Sequence, residues 1–546
     1  MIDQIRCFLS NQKLDAILVT RTDCFLGEYY PPEHRQLKQA TGFSGSAGLA
    51  VITQDQKVLF VDSRYTEQAK IESDYQVFEV PRDTTPSDWI IKNLKGRKIG
   101  YNPWQRSAQW VSLMKQKEID LQEIAWQKWQ ELFPQEKSKK PKVFRYNTAY
   151  CGETTRAKIQ RVVKVLKKKE LDAYVFTVPD SVSYILNKRS LAVPEYPVIF
   201  ERLIVFNDGT YRELPADVSV LKNKAIGLDF ALTPMGVYKK LKQVAKIVDC
   251  PDPAEQMKAV KNTIEQNNIR QACLFESKVI CRFLAFVEQN KERLDELSCD
   301  QKLKELRSES PLYRGDSFDT IAAVGEHAAR PHYKATPQSN KSVSEAPLLL
   351  VDTGGNYLNG TTDMTRTICI GTPTDEMKKR YTQVLKGHIA LAMMAVRKGD
   401  LPTQLDQNAR QFLRADGVDY GHSTGHGIGM YLAVHETPPT IYEKSSTPLK
   451  AGMLFSNEPA YYKAGEYGIR LENMILTIAG PGNTLILENL LWIPFDGRLV
   501  ITEMLTEGEK EWLRSYHKGI LDRIYSDLSV EEQDLLKPLL DFFMFL

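Results

Sequence analysis

EAPLLLVDTGGNYLNGTTDMTRTICIG (345–371) joins two apolar runs through a glycine-containing turn. Asp352 ends the first run and Asp363 opens the second. Short apolar runs bounded by turn residues read as buried strands. Gly354, Gly355 and Gly360 are expected to let the chain reverse. Asp363 then returns beside Asp352. An acid at the end of a buried strand is costly unless a cation or partner offsets it. The pattern recurs in NEPAYYKAGEYGIRLEN (457–473), where Glu458 and Glu472 flank Gly465 and Gly468. Between the two lies GHSTGHGIG (421–429), whose glycines favour loop or extended backbone over helix and which carries His426. One such acid alone reads as a capped turn or surface group. Two hairpins of acids with an imidazole between them read as a metal site. Asp352, Asp363, His426, Glu458 and Glu472 suit two hard divalent ions sharing a water, which is hydrolytic chemistry. Oxygen-rich ligation favours Mn²⁺, with Co²⁺, Fe²⁺ or Zn²⁺ as substitutes.

Three further histidines lie close in sequence to this set: His332 in ARPHYKAT, His422, and His435 in AVHE. They are expected to donate hydrogen bonds to a developing oxyanion or leaving amine. His34, His327, His388 and His517 lack that context and read as structural.

A chain of 546 residues is too long for one core and implies three or more domains. Its 42% hydrophobic and 26% charged residues are those of a globular protein, and a net charge of +3 argues against a dominant polyanion-binding role. No nucleic-acid partner is expected. The start, MIDQIRCFLSNQKLD, lacks a long apolar core, and no run of about 18 apolar residues occurs, so neither a signal peptide nor a membrane span is expected. The eight scattered cysteines form no CxxC pair and read as reduced thiols.

The N-terminal half repeats itself. NQKLDAILVT (11–20) resembles KKELDAYVFT (168–177), and GRKIGYN (96–102) resembles NKAIGLD (223–229), which predicts two related α/β domains. GFSGSAGLAVIT and KVLFVDSRYTEQA read as strand, turn and strand, then a helix opening after Arg64. PQEKSKKPK (134–142) reads as a linker. KIQRVVKVLKKKE (158–170) predicts a helix with Val162, Val163 and Leu166 inward and its lysines in solvent. A second boundary is expected near PDPAEQ (251–256), followed by one long helical stretch over 257–290. The last segment, SVEEQDLLKPLLDFFMFL, is amphipathic and reads as a docked tail or subunit contact.

DTGG, TTDMTRT, HSTGHGIG, VHE, NEPAYY and GIRLEN together resemble the aminopeptidase P (Xaa-Pro aminopeptidase) catalytic domain of the pita-bread, or creatinase, metallopeptidases. GFSGSAG and VDSRY resemble the N-terminal domain of that family, so the resemblance covers nearly the whole chain. It implies an α/β (α+β) architecture of three domains: creatinase-like domains over 1–140 and 141–254, then a pita-bread catalytic domain with a C-terminal extension over 255–546. It implies a cytoplasmic metallo-exopeptidase acting on proline-containing oligopeptides, with a dinuclear-metal-bound hydroxide and a homodimeric assembly. Asp352 would bind one ion, His426 and Glu458 the other, and Asp363 and Glu472 both. His332, His422 and His435 would line the substrate pocket, Glu458 would shuttle a proton, and Arg470 would support the site or contact the peptide. Arg64 would reach toward substrate, in the same or the partner subunit. The alternatives are an Xaa-Pro dipeptidase (prolidase) and a non-catalytic peptide- or histone-binding pita-bread protein. Ser423 stands where glycine is common, Asn457 where aspartate is common, and ILNKRS (185–190) departs from the usual second-domain stretch.

Overall fold

In both copies of the LDA repeat, an aspartate closes the same pair of hydrogen bonds. Asp15 N donates to Lys98 O and Lys98 N to Asp15 Oδ2; Asp172 N donates to Ala225 O and Ala225 N to Asp172 Oδ2. The following strands, Ala16–Thr20 and Ala173–Phe176, each take a parallel neighbour in one register, Ala16↔Ile99 in the first and Ala173↔Ile226 in the second. Each takes an antiparallel neighbour on its other side. The glycine of each IG pair faces the leucine of each LDA. A Cβ on Gly100 would lie 2.7 Å from Leu14 Cδ1, and one on Gly227 2.8 Å from Leu171 Cδ1. Shared register, shared bonds and a shared close approach make this a structural repeat.

The computed structural model describes residues 1–30, 34–134 and 141–546. Most of the linker expected at 134–142 lies outside the described residues. Two compact units are present: residues 1–146, 153–193 and 197–255 form one, and residues 147–152, 194–196 and 256–546 the other.

The first unit holds two mixed sheets. One runs Gln76–Val80, Lys57–Asp62, Leu49–Thr53, Ala16–Thr20, Lys98–Tyr101 and Asp120–Glu123 in space. The other runs Tyr211–Glu213, Leu203–Phe206, Ala173–Phe176, Ala225–Leu228 and Lys246–Asp249. The helix expected after Arg64 is Thr66–Glu72. The helix Thr155–Lys168 buries Val162, Val163 and Leu166 as its pattern requires. One of its lysines differs from expectation. Lys158 is buried, because its ammonium donates to Tyr184 O (3.0 Å) and Asn187 Oδ1 (2.8 Å) and sits over the Tyr184 ring. Burial follows from those acceptors, which a charge pattern does not reveal.

In the second unit, the helical stretch at 257–290 is two helices, Pro253–Ala259 and Thr263–Asn290. The break falls where Asn262 caps the second helix in a reciprocal box with Glu265 and where Val260 bridges Met453. The capping residue satisfies amides that would otherwise be orphaned. The C-terminal helix Val530–Met544 buries Leu536, Leu540 and Phe543, with the Phe543 ring stacked 3.9 Å from that of His517. The tail is docked at these positions, and Phe545 remains exposed. All eight cysteines are free thiols. Among the described residues, no helix is long and apolar enough to cross a membrane.

Candidate metal centre

Two strand pairs of the same design carry the acids. Leu348–Thr353 pairs antiparallel with Met364–Cys369, matching Asp352 to Thr365 and Thr353 to Met364. Leu454–Asn457 pairs antiparallel with Asn473–Ala479, matching Asn457 to Asn473. Each pair is closed by a smaller hairpin, Gly355–Tyr357 with Gly360–Thr361 in the first and Ala460–Lys463 with Tyr467–Arg470 in the second. The four acids therefore sit at the two necks. An isolated backbone bridge between Thr365 and Glu472 links the necks: Glu472 N donates to Thr365 O (3.0 Å) and Thr365 Oγ1 to Glu472 Oε2 (2.7 Å).

The glycines of the first neck do a different job from the one their sequence suggests. Gly354, Gly355 and Gly360 are not among the positive-φ residues. A Cβ on Gly354 would lie 1.9 Å from Thr362 O, so this glycine permits close approach of the two chains rather than their reversal. Gly465, at φ 74°, is the turn glycine of the second neck. Gly354→Ala is expected to cost about 1–3 kcal/mol of stability, the usual range for overpacking. Chemical denaturation of the metal-free protein measures it.

Asp363, His426 and Glu472 each offer a ligand atom, all within 4.8 Å of one another. His426 lies on the extended segment Gly425–Gly427, and its Nδ1 donates to Gly427 O (2.9 Å). That fixes the proton on Nδ1 and turns the Nε2 lone pair toward the acids, 3.5 Å from Asp363 Oδ2 and 3.5 Å from Glu458 Oε1. Asp352 Oδ2 accepts from Arg470 Nη2, while Asp352 Oδ1 is buried without a hydrogen-bond partner. Burial, reinforced by repulsion from Asp352 and Glu458, pushes Asp363 well above the usual carboxylate range. Burial and repulsion from Asp363, Glu458 and Asp352 do the same to Glu472. Burial moves Glu458 up to about 7, against the pull of Arg470. Four buried acids facing one arginine, an orphaned carboxylate oxygen and an inward imidazole lone pair fit hard divalent cations.

These protonations give a pH test. Metal must displace protons held by Asp363, Glu472 and Glu458 in the metal-free protein. Mn²⁺ affinity is therefore expected to rise from about pH 6 to about pH 8, with protons released on binding. Calorimetry in buffers of differing ionisation enthalpy counts them.

A chain of contacts runs outward from Asp352. Arg470 also donates to Tyr462 OH (2.6 Å) through Nη1 and to Pro331 O (3.3 Å) through Nη2. Tyr462 OH meets His422 Nε2 at 2.9 Å. His422 Nδ1 donates to Ser423 O (2.7 Å), so the phenol donates to Nε2 of the neutral ring. His422 Nδ1 also lies 3.9 Å from Glu458 Oε2. The His435 ring meets that of His426 edge to face at 4.5 Å and runs nearly parallel to that of His332 at 6.3 Å. The structure thus gathers the five expected ligands with His332, His422, His435 and Arg470. Arg64 belongs to the other compact unit, where Asp62 holds its guanidinium through two contacts of 2.8 Å.

The four histidines expected to be structural lie outside this cluster. His327 Nδ1 pairs with Glu296 at 2.7 Å, burial pushes both His388 and His517 down to about 3, and the His34 ring meets that of Tyr30 edge to face at 6.2 Å. Sequence reading missed Tyr462, although NEPAYY contains it. It also missed Thr424, whose hydroxyl donates to the buried Asp406 (2.6 Å) and whose carbonyl accepts from Glu458 N (2.8 Å). Glu436, next to His435, is anchored by Lys261. Each lies inside a motif segment, NEPAYY, HSTGHGIG or VHE, but its contacts are made only in the fold.

The model of Metallopeptidase family M24 matches residues 267–479, and its C-terminal region matches 483–538. Creatinase/Prolidase N-terminal domain models match 1–125 and 134–214. The Xaa-Pro aminopeptidase 1 of Dictyostelium discoideum is 30% identical, covering 96% of this chain and 92% of its own. The crystal structure of an X-prolyl aminopeptidase from Caenorhabditis elegans, described as a cytosolic enzyme with a di-nuclear active site, superimposes with a TM-score of 0.92 at 27% identity, covering 99% of this chain and 98% of that one. The fold is accordingly mixed α/β, with creatinase-like N-terminal domains and a C-terminal pita-bread domain. The Probable Xaa-Pro aminopeptidase P of Laccaria bicolor is 31% identical, covering 95% of this chain and 89% of the relative. Identity of 31% over 95% of the chain, together with the M24 match, means that the chain belongs to the Xaa-Pro aminopeptidase family of M24 metallopeptidases.

Proposed function

We infer that this protein is a metal-dependent aminopeptidase that hydrolyses the bond between an N-terminal residue and a following proline. The observation that carries the reading is the convergence of Asp363, His426 and Glu472 within 4.8 Å, flanked by Glu458 and the half-paired Asp352. Full-length relatives named for this activity support it.

Asp352, Asp363, His426, Glu458 and Glu472 are assigned as ligands of two divalent ions, with Mn²⁺ favoured by the oxygen-rich set. Such ions supply Lewis acidity toward the scissile carbonyl and lower the pKa of water. The side chains do the rest. His435, whose ring meets that of His426, and His332, whose ring runs nearly parallel to that of His435, are assigned as donors to the carbonyl oxygen as it gains charge. The bond before proline is a tertiary amide, so its departing nitrogen must gain a proton. Glu458 is the assigned carrier, with His422 beside it. Arg470 holds Asp352 on one side and Tyr462 on the other, which fixes His422 in one tautomer.

The division into domains 1–140, 141–254 and 255–546, a homodimeric state and a substrate contact from Arg64 complete the proposal by resemblance. Free cysteines suit a reducing compartment, and a cytosolic relative supports cytoplasmic placement.

The test is a peptide panel varying length and second residue, with and without Mn²⁺. Release of the first residue from Arg-Pro-Pro-type peptides is the expected result. No release there, with good cleavage of Arg-Ala peptides, overturns the proposal, and cleavage confined to Xaa-Pro dipeptides assigns a prolidase instead.

A further inference from the structure

Arg366, in the TTDMTRT segment, is 2% exposed, and its guanidinium makes six hydrogen bonds, all to neutral acceptors. Nη1 donates to Thr365 O (2.8 Å) and Glu472 O (2.7 Å). Nη2 donates to Asn473 Oδ1 (2.8 Å), Ile493 O (2.9 Å) and Tyr516 OH (3.1 Å), and Nε to Pro494 O (3.0 Å). One edge of the group thus holds the two residues whose isolated bridge links the acid-bearing hairpins. Most of its other contacts hold the C-terminal region. Tyr516 OH on the helix Glu507–Arg523 locks that side. It accepts from Ile493 N (3.1 Å) and Asn473 Nδ2 (3.2 Å) and faces Leu491 O (3.0 Å) and Ile493 O (2.9 Å).

An isolated bridge has no neighbouring ladder bonds to hold its register. Side chains therefore fix Glu472 relative to Asp363: Thr365 Oγ1 donates to Glu472 Oε2, Thr367 Oγ1 accepts from Arg470 N and donates to Arg470 O, and the Arg366 guanidinium donates to Glu472 O. A planar cation with five fixed donors does this better than any single backbone bond. We propose that Arg366 and Tyr516 are positioning residues for the metal ligand Glu472, which makes the C-terminal region a working part of the metal centre. The inference rests on the metal-centre reading above. It does not depend on which peptide is cleaved.

Mn²⁺ binding to the metal-free full-length protein, followed by calorimetry alongside thermal melting, provides the test. Arg366→Lys keeps the charge but cannot span the six acceptors. It is expected to weaken Mn²⁺ binding by about 10–100-fold, the usual effect of removing a group that orients a ligand. Tyr516→Phe leaves Arg366 its carbonyl partners and should weaken binding by about threefold or more. Tyr381→Phe removes another buried hydroxyl of the same core, one that accepts from Asp496 N (2.9 Å), and should leave Mn²⁺ affinity unchanged. A merely structural role for Arg366 and Tyr516 would lower melting temperatures without altering the affinity of folded molecules. Wild-type affinity in both variants, or equal weakening by Tyr381→Phe, overturns the proposal. Should Arg366→Lys fail to fold, Tyr516→Phe decides alone. Tight Mn²⁺ binding without cleavage before proline would sink the peptidase reading and leave this one standing.

Discussion

Asp363→Asn and Glu472→Gln are each expected to strip both metal ions from the protein and to lower kcat/KM on the order of 10³-fold or more. The magnitude follows because a direct ligand outranks the groups that orient it, which are themselves worth about 10–100-fold. The loss of both ions follows from the assignment of Asp363 and Glu472 to both ions, which rests on the family resemblance. Asp363 and Glu472 are two of the three residues whose ligand atoms cluster, whereas Asp352 reaches the group from the side of Arg470. Asp352→Asn should therefore deplete mainly one ion. Elemental analysis after dialysis, paired with kinetics on a proline peptide, separates these cases. Retention of one full equivalent by Asp363→Asn would contradict its assignment as a shared ligand. Stability should move the other way. Burial and mutual repulsion keep Asp363 and Glu472 protonated in the metal-free fold, whereas unfolding lets them ionise at neutral pH, which favours the unfolded state. A neutral amide at either position removes that term and should leave the metal-free melting temperature unchanged or raised.

Arg307→Met is expected to be the most destabilising change away from the metal ligands, at about 3–5 kcal/mol, the cost of stranding a buried charge. Arg307 and Glu276 are both fully buried, and Arg307 donates to Glu276 Oε1 through Nη2 (2.6 Å) and to Asp316 Oδ1 through Nη1 (3.1 Å). Tyr357 OH also donates to Glu276 Oε2 (2.6 Å). Removing the arginine leaves Glu276 with that phenol and no cation. Glu276→Gln combined with Arg307→Met removes both charges and should recover much of the loss. Arg307 also donates to Thr353 Oγ1 (2.8 Å), one residue from Asp352, so some loss of activity should accompany the unfolding. Urea denaturation of the single and double variants provides the cycle. A double variant no more stable than Arg307→Met alone would show that the charge is not what the arginine serves.

The candidate metal ligands are legible in the chain because their chemistry is local. An acid at the end of a buried strand, repeated and interleaved with a histidine loop, is costly without a cation to face it. The repeated LDA and IG segments are legible for a similar reason, as strand edges whose pairing register the fold reproduces. Lys158 escapes its helical pattern because its acceptors lie 26 and 29 residues away, beyond any helical period. Gly354 escapes because composition shows a glycine but not whether it serves a turn or a close contact.

The sequence by itself pointed to the five side chains assigned as ligands, to the buried strands beside them, and to two related domains before them. The tertiary structure alone decided how the two hairpins are held together. Thr365 and Glu472 are 107 residues apart, and Arg366 and Tyr516 150. Contacts at such separations leave no periodic trace in the chain. They arise only when two necks and a C-terminal helix pack around one buried guanidinium.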